Sequence, residues 1–287
     1  MYIEKRNMNA LLPYFKISRL NNALMTGIAV SLGFWLGRSI LPLPALFLLI
    51  IAGIAATAFG NVINDIHDIA TDRISHRNRP LPRNELSLND ARLFTVYLML
   101  VAIGSAAFVS STYITATVLP LLLLAGYTRF LKGTPLAGNI VVSLLVGYAI
   151  LYGALLAPRF NRLMVPAILA FLLNLVREII KDVQDAPGDR AARLVTTASL
   201  PCSVIRSIIF AAVAANLLLL FVPALLHHFG KVYALICLIA VLPLQLIWLF
   251  IFVNKNWREK LSLLSLLIKL EMATGLIALA ADQIFTH

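Results

Sequence analysis

Two short stretches of the chain concentrate groups able to hold metal ions and phosphate. The first reads Asn61-Val62-Ile63-Asn64-Asp65-Ile66-His67-Asp68-Ile69-Ala70-Thr71-Asp72. The second reads Arg177-Glu178-Ile179-Ile180-Lys181-Asp182-Val183-Gln184-Asp185-Ala186-Pro187-Gly188-Asp189. Asn61, Asp65, Asp68 and Asp72 are separated by four, three and four positions, and Glu178, Asp182, Asp185 and Asp189 repeat that spacing. At about 100° per residue, such steps keep four side chains within roughly 60° of one another, so each set makes a polar stripe on a helix. Carboxylates this close repel unless cations neutralise them. Their hard oxygens suit Mg²⁺, which binds through one or two carboxylates and completes its shell with water and phosphate oxygens. Two facing stripes would hold a diphosphate between Mg²⁺ ions, with Arg73, Arg77, Arg79, Lys132 and Lys181 neutralising the remaining charge.

The alternative for either stripe is a solvated helix end. Seven of the 13 acidic residues lie in these two stretches, and the spacing recurs, which argues against that reading for both. The recurrence also hints at a duplicated half. Pro187 and Gly188 argue against a regular helix reaching as far as Asp189. His67 is off the stripe by helical angle and is expected to be structural.

The elements that carry these stripes must be membrane helices. Of the 287 residues, 60% are hydrophobic and 13% charged, against roughly 25% charged in a soluble domain. Apolar runs of about 20 residues match the length needed to cross the hydrocarbon core as helix. Nine such segments run near 17–38, 43–66, 91–110, 112–131, 137–157, 162–181, 205–226, 231–254 and 261–284. Breaks fall where Pro, Gly or charge accumulates. Alternating strand patterns are absent, so the chain reads as an all-α polytopic membrane protein, one transmembrane domain over 1–287. The first segment, with no small-residue cleavage site after it, reads as an anchor rather than a removable signal.

The net charge of +11 would suggest nucleic acid in a soluble protein. In a membrane protein the positive-inside rule and a phosphorylated substrate explain it first, and no nucleic-acid partner is expected. Most of the 24 basic residues fall on one side, while Arg38, Arg159, Arg162 and Lys231 fall on the other. That split places the N-terminus and both stripes in the cytoplasm and the C-terminus opposite. Arg19, Asn21 and Asn22 precede the first apolar core, where an internal cavity suits the asparagines better than lipid does. Cys202 and Cys237 lack metal-ligand spacing and read as apolar packing. Lys269 and Glu271 share the last helix and read as a local pair or an interfacial contact.

These residues carry a family resemblance. Asn64-Asp65-x-x-Asp68-x-x-x-Asp72 is similar to the first aspartate-rich motif of the UbiA-type intramembrane prenyltransferases, and Arg79-Pro80-Leu81-Pro82 resembles the stretch common after it. Arg177-Glu178-x-x-Lys181-Asp182-x-x-Asp185-x-x-Gly188-Asp189 resembles the second motif in the branch that makes archaeal-type ether lipids, the geranylgeranylglyceryl-phosphate geranylgeranyltransferases. Tyr127-x-x-x-x-Lys132 and Gly138-Asn139 match the pattern between the family's fourth and fifth helices. Two departures stand out: Arg19-Leu20-Asn21-Asn22 lacks the branch's frequent proline, and Gln184 replaces a frequent glutamate.

The resemblance implies a nine-helix UbiA-type bundle with a cytoplasmic-side active site. Asp65, Asp68, Asp72, Asp182, Asp185 and Asp189 would be catalytic, and all of these but Asp189, together with Asn64, would hold Mg²⁺. Arg19, Asn22, Asn61, Asn64, Arg73, Arg79, Tyr127, Lys132, Asn139, Arg177 and Lys181 would bind substrate. The implied reaction moves a polyprenyl group, geranylgeranyl in this branch, from its diphosphate to a prenylglyceryl phosphate hydroxyl. The enzyme alternative is prenylation of an aromatic acid or quinone precursor. The other is an ion-coupled transporter or lipid-binding membrane protein, which would carry charge near mid-helix on several segments.

Overall fold

The computed structural model describes residues 11–131, 134–191 and 195–286. Among these the secondary structure is helical throughout. A helical turn over residues 11–17 precedes α1 (Leu20–Leu36) and α2 (Leu43–His67), and the short α3 (Ile69–Ser75) follows. Next come α4 (Leu88–Ala107), α5 (Ser111–Gly126), α6 (Ala137–Gly153) and the long α7 (Met164–Ala191). The chain ends with α8 (Cys202–Leu220), α9 (Val222–Leu225), α10 (Lys231–Ile236), α11 (Leu242–Val253) and α12 (Leu261–Thr286). A π-helical turn, Cys237–Val241, joins α10 to α11, so that Lys231–Val253 is one apolar span.

Among the described residues seven helical stretches are long and apolar enough to cross a membrane, and α1 and α6 are apolar helices of 17 residues each. These correspond one for one to the nine segments expected from the sequence. The largest difference is the sixth, which continues to Ala191 through Pro187 rather than ending near 181. Proline removes one backbone donor and crowds the preceding turn, yet here it lies inside α7. Outward-facing apolar side chains such as Phe47, Leu100, Leu122, Leu218 and Phe250, each more than 60% exposed, have a solvent in lipid tails that water would not provide.

The described residues fall into two compact units. The first holds 11–30, 41–131 and 187–191. In it α2 packs along α4 and α5. Helix α2 buries Ala45, Ala52, Ala55, Ala58 and Gly60, and α4 buries Ala91, Thr95, Leu98, Ala102 and Ala106. Small residues at helical spacing let backbones approach closely, which matters in lipid because apolar area alone gives helices no preference for one another. Leu81 and Leu86, from the loop after α3, pack into this core. They hold the loop that carries Arg79.

The second unit holds 31–40, 134–186 and 195–286. Its core joins Val176, Ile179 and Ile180 of α7 to Ile205 and Ile209 of α8, Trp248 and Phe252 of α11, and Leu264 and Ile268 of α12. Backbone contact replaces side-chain contact at two glycines. A Cβ on Gly33 would lie 1.9 Å from the Ile150 carbonyl oxygen, and one on Gly147 would lie 2.5 Å from that of Ala167. Only hydrogen fits there. At the far end, buried Asp282 accepts from the backbone N–H groups of Gly230 and Tyr233, satisfying donors at the start of α10. Cys237 is buried and Cys202 is exposed.

Candidate active site

The first acidic stripe is built on a helix interrupted once. Helix α2 ends at His67, Asp68 has bridge-region dihedrals (φ −89°, ψ 1°), and α3 resumes at Ile69. The helical hydrogen bonds survive the break: Asp68 N–H donates to Asn64 C=O at 2.9 Å, and Asp72 N–H donates to Asp68 C=O at 2.7 Å. The four-three-four spacing therefore still yields a single stripe. Asp65 and Asp72 are buried, at 3% and 2% exposure, while Asn61, Asn64 and Asp68 are half-buried.

Two arginines hold the buried carboxylates. Arg79 Nη1 lies across both oxygens of Asp72, at 2.7 and 2.6 Å, and reaches Asp65 Oδ1 at 3.3 Å. Arg19 Nη2 donates to the same Asp65 oxygen at 2.6 Å. Arg19 has a left-handed backbone (φ 48°) between the 11–17 turn and α1, a strained conformation for a residue with a Cβ. Its guanidinium pairing with Asp65 opposes that cost. Burial raises the Asp72 carboxyl above its ordinary pKa; Arg79 opposes that rise, and Asp65 and Asp68 add to it by repulsion. Burial acts to lower the Arg79 pKa, but Asp65 and Asp72 outweigh it and leave the guanidinium above its ordinary value.

The remaining residues of this unit take lesser places. Asn64 Nδ2 donates to Asp68 Oδ2 at 2.9 Å, and Asn61 Nδ2 donates to the Ser18 carbonyl at 2.9 Å. Asn61 thus ties the stripe to the turn bearing Arg19. Of the three arginines after the stripe, Arg79 folds back onto it, whereas Arg73 and Arg77 are exposed. Asn22 is exposed at the start of α1, and Tyr127 opens the π-helical turn Tyr127–Leu131. Lys132 lies outside the described residues. His67 is exposed, its Nδ1 2.8 Å from the Ile63 carbonyl, in keeping with a structural role.

In the second unit Asp182 is the organising carboxylate. Its Oδ2 accepts from Asn139 Nδ2 at 3.1 Å and from the Thr197 N–H at 3.3 Å. The Thr197 hydroxyl donates to Asn139 Oδ1 at 2.6 Å and accepts the Leu136 N–H at 3.0 Å. Leu136 is itself left-handed (φ 66°), so this bond holds a strained turn in place at the start of α6. Thr197, fully buried, is the residue that sequence reasoning missed. It lies in a loop without periodicity, and its one signal is a pair of threonines amid apolar residues. One turn along α7, Glu178 is held by Arg177 at 2.5 Å and Lys181 at 3.4 Å. Asp185 and Asp189 are half-buried further along the same helix, and α7 runs on past both to Ala191, contrary to the expected break at Pro187.

Among the described residues no three His, Cys, Asp or Glu side chains gather into a cage that could enclose a metal by itself. Mg²⁺ needs only one or two carboxylates and takes its other oxygens from water and phosphate, whereas structural Zn²⁺ sites are closed by protein ligands. Asp65, Asp68, Asp72 and the Asn64 carbonyl supply hard oxygens on one face, as do Asp182 and Asp185, so the donor chemistry fits.

The chain is similar to known proteins over most of its length. The model of the UbiA prenyltransferase family matches residues 24–270. A digeranylgeranylglyceryl phosphate synthase of Korarchaeum cryptofilum is 30% identical over 280 residues, covering 96% of this chain and 98% of its own. One from Methanoculleus marisnigri is 32% identical over 245 residues, 83% of this chain and 84% of its own. Among solved structures, a digeranylgeranylglyceryl phosphate synthase superposes with a TM-score of 0.79 at 24% identity, over 96% of this chain and 99% of that one. A UbiA homologue from Archaeoglobus fulgidus, bound to GPP and Mg²⁺, superposes at 0.63 with 16% identity, over 93% and 99%. At these identities the two structures speak for the fold alone.

Proposed function

The chain belongs to the UbiA prenyltransferase family, and from that premise we propose that it transfers a geranylgeranyl group from its diphosphate to the hydroxyl of a prenylglyceryl phosphate. The products are an ether lipid precursor and diphosphate. The observation that carries this reading is the end-to-end similarity to digeranylgeranylglyceryl phosphate synthases, which reaches 98% of one relative's length. The whole chain, 1–287, works as one transferase domain in the cell membrane, with its N-terminus and active site cytoplasmic and its C-terminus opposite.

In the reaction the C1–O bond of the prenyl diphosphate breaks and its electron pair leaves with diphosphate. The acceptor oxygen then bonds to C1 and its hydroxyl proton is released. Asp65, Asp68, Asp72, Asp182 and Asp185, with Asn64, would hold Mg²⁺, and Asp189 serves the same catalytic group. When bound, Mg²⁺ supplies positive charge to the leaving diphosphate, where negative charge grows in the transition state. Arg19 and Arg79 hold Asp65 and Asp72 in place for that role and stand ready to meet phosphate oxygens. Asn22, Asn61, Arg73, Tyr127, Lys132, Asn139, Arg177 and Lys181 complete the substrate-binding set. Apolar helix faces keep water from the allylic cation that forms at C1.

The test is a choice of acceptors. Purified protein in detergent with Mg²⁺ and labelled geranylgeranyl diphosphate is offered geranylgeranylglyceryl phosphate or 4-hydroxybenzoate. Labelled diether from the first is expected. Product from the aromatic acid alone would keep the chemistry and overturn the acceptor.

A further inference from the structure

A chain of hydrogen bonds in the second unit runs from a group that can only donate to one that can only accept, so it has a single sense. At one end the Leu136 backbone N–H donates to Thr197 Oγ1 at 3.0 Å. At the other the Asp182 carboxylate receives Asn139 Nδ2 on Oδ2 at 3.1 Å. Between them the Thr197 hydroxyl spends its hydrogen on Asn139 Oδ1, at 2.6 Å. An amide turned over at this position would set an oxygen against the carboxylate, and the Thr197 hydroxyl holds it the other way. The Thr197 N–H adds a second bond to Asp182 Oδ2 at 3.3 Å.

Thr197 is itself fixed. It is fully buried at the start of the turn Thr197–Ser199, and its carbonyl accepts the Leu200 N–H at 3.1 Å. Leu200 packs against the core that α7, α8, α11 and α12 share. The loop after α7 therefore returns to hold a carboxylate of α7. How that carboxylate is held separates it from a structural one. Asp282, which serves a helix start, has both oxygens engaged, Oδ2 by the Gly230 N–H and Oδ1 by the Tyr233 N–H. Asp182 has Oδ2 held twice, and among the described residues no hydrogen bond reaches its Oδ1.

We propose that Thr197 is a positioning residue for the metal: through Asn139 and its own N–H it pins Asp182 Oδ2 and leaves Oδ1 as the oxygen that Asp182 offers to Mg²⁺. The inference rests on the metal-dependent transfer proposed above and adds to it a residue from neither acidic stripe.

Equilibrium binding of labelled geranylgeranyl diphosphate to the full-length protein, titrated with Mg²⁺ and with no acceptor present, tests it apart from turnover. Thr197→Val and Thr197→Ala both remove the hydroxyl and free the Asn139 amide to turn. Each is expected to raise the Mg²⁺ concentration at half-saturation by about 10–100-fold, the usual cost of losing a group that orients a metal ligand. Thr197→Ser keeps the hydroxyl and stays within about threefold of wild type. Ser143→Ala controls for loosening of the fold. Ser143, also fully buried, donates to the Asn139 backbone carbonyl at 2.6 Å and accepts from Asn174 Nδ2 at 3.2 Å. Its loss lowers the unfolding midpoint but leaves the Mg²⁺ titration within about twofold. One folded hydroxyl-free variant at position 197 suffices: an unchanged titration in it, or an equal shift in Ser143→Ala, overturns the proposal. Wild type that binds the diphosphate independently of Mg²⁺ overturns it too. If the titrations fall as expected but no ether forms, the transfer reading fails and the positioning role stands.

Discussion

Replacing Asp68 with alanine lowers the rate of prenyl transfer by about 10²–10³-fold, the range seen when one preorganised electrostatic contact to a developing charge is removed, while thermal stability stays near that of wild type. The separation of the two effects follows from where Asp68 sits. It marks the break between α2 and α3, but its side chain caps neither helix end. Its carboxylate accepts from Asn64 of its own stripe. Arg19 and Arg79 keep their bonds to Asp65 and Asp72 when it is removed, and repulsion on Asp72 falls. Initial rates at saturating Mg²⁺, with the unfolding midpoint in the same detergent, check both halves. A variant within about twofold of wild-type rate would remove Asp68 from the proposed metal ligands.

Arg79→Ala damages stability and activity together. Arg79 is the group that neutralises Asp72, 2% exposed, and it shares Asp65, 3% exposed, with Arg19. Its loss leaves a buried carboxylate without its cation, a defect that costs on the order of 3 kcal/mol. Protonation of Asp72 limits the cost and also removes a metal ligand. The loop anchored by Leu81 and Leu86 keeps its apolar contacts, so local loosening of the stripe is expected rather than global unfolding. Arg79→Lys retains the charge on a shorter, differently shaped side chain that does not place it where Nη1 meets Asp72 and Asp65, and it falls between the two. Unfolding midpoints and transfer rates measured across the three proteins check the order. Equal midpoints for wild type and Arg79→Ala would show that the ion pair contributes little to the fold.

Membrane spans and stripes were legible from the sequence because each depends on a local period. Apolar runs of about 20 residues delimit helices irrespective of what they pack against. A four-three-four spacing sets a helix face whether or not the helix is interrupted, and the break at Asp68 left the stripe whole for that reason. Features that depend on where a chain folds back were not legible. Arg73, Arg77 and Arg79 look equivalent in sequence, and only the packing of Leu81 and Leu86 returns Arg79 to the stripe. Thr197 organises Asn139 and Asp182 from 15 or more residues away, with no periodic signal to mark it. Proline's usual meaning misled at Pro187, where α7 continues. Lys269 and Glu271 read in sequence as a local pair or an interfacial contact, but two positions on a helix send their side chains about 200° apart, and Glu271 accepts the indole N–H of Trp248 instead.

The central claim is metal-dependent prenyl transfer, and the most direct measurement follows diphosphate release and ether formation together in one preparation. Purified protein with labelled geranylgeranyl diphosphate and geranylgeranylglyceryl phosphate should release one diphosphate per ether formed. Chelator should stop both, and restored Mg²⁺ should return both to the starting rate. Transfer that persists undiminished in chelator, or Mg²⁺-dependent diphosphate release with no ether product, would contradict the account.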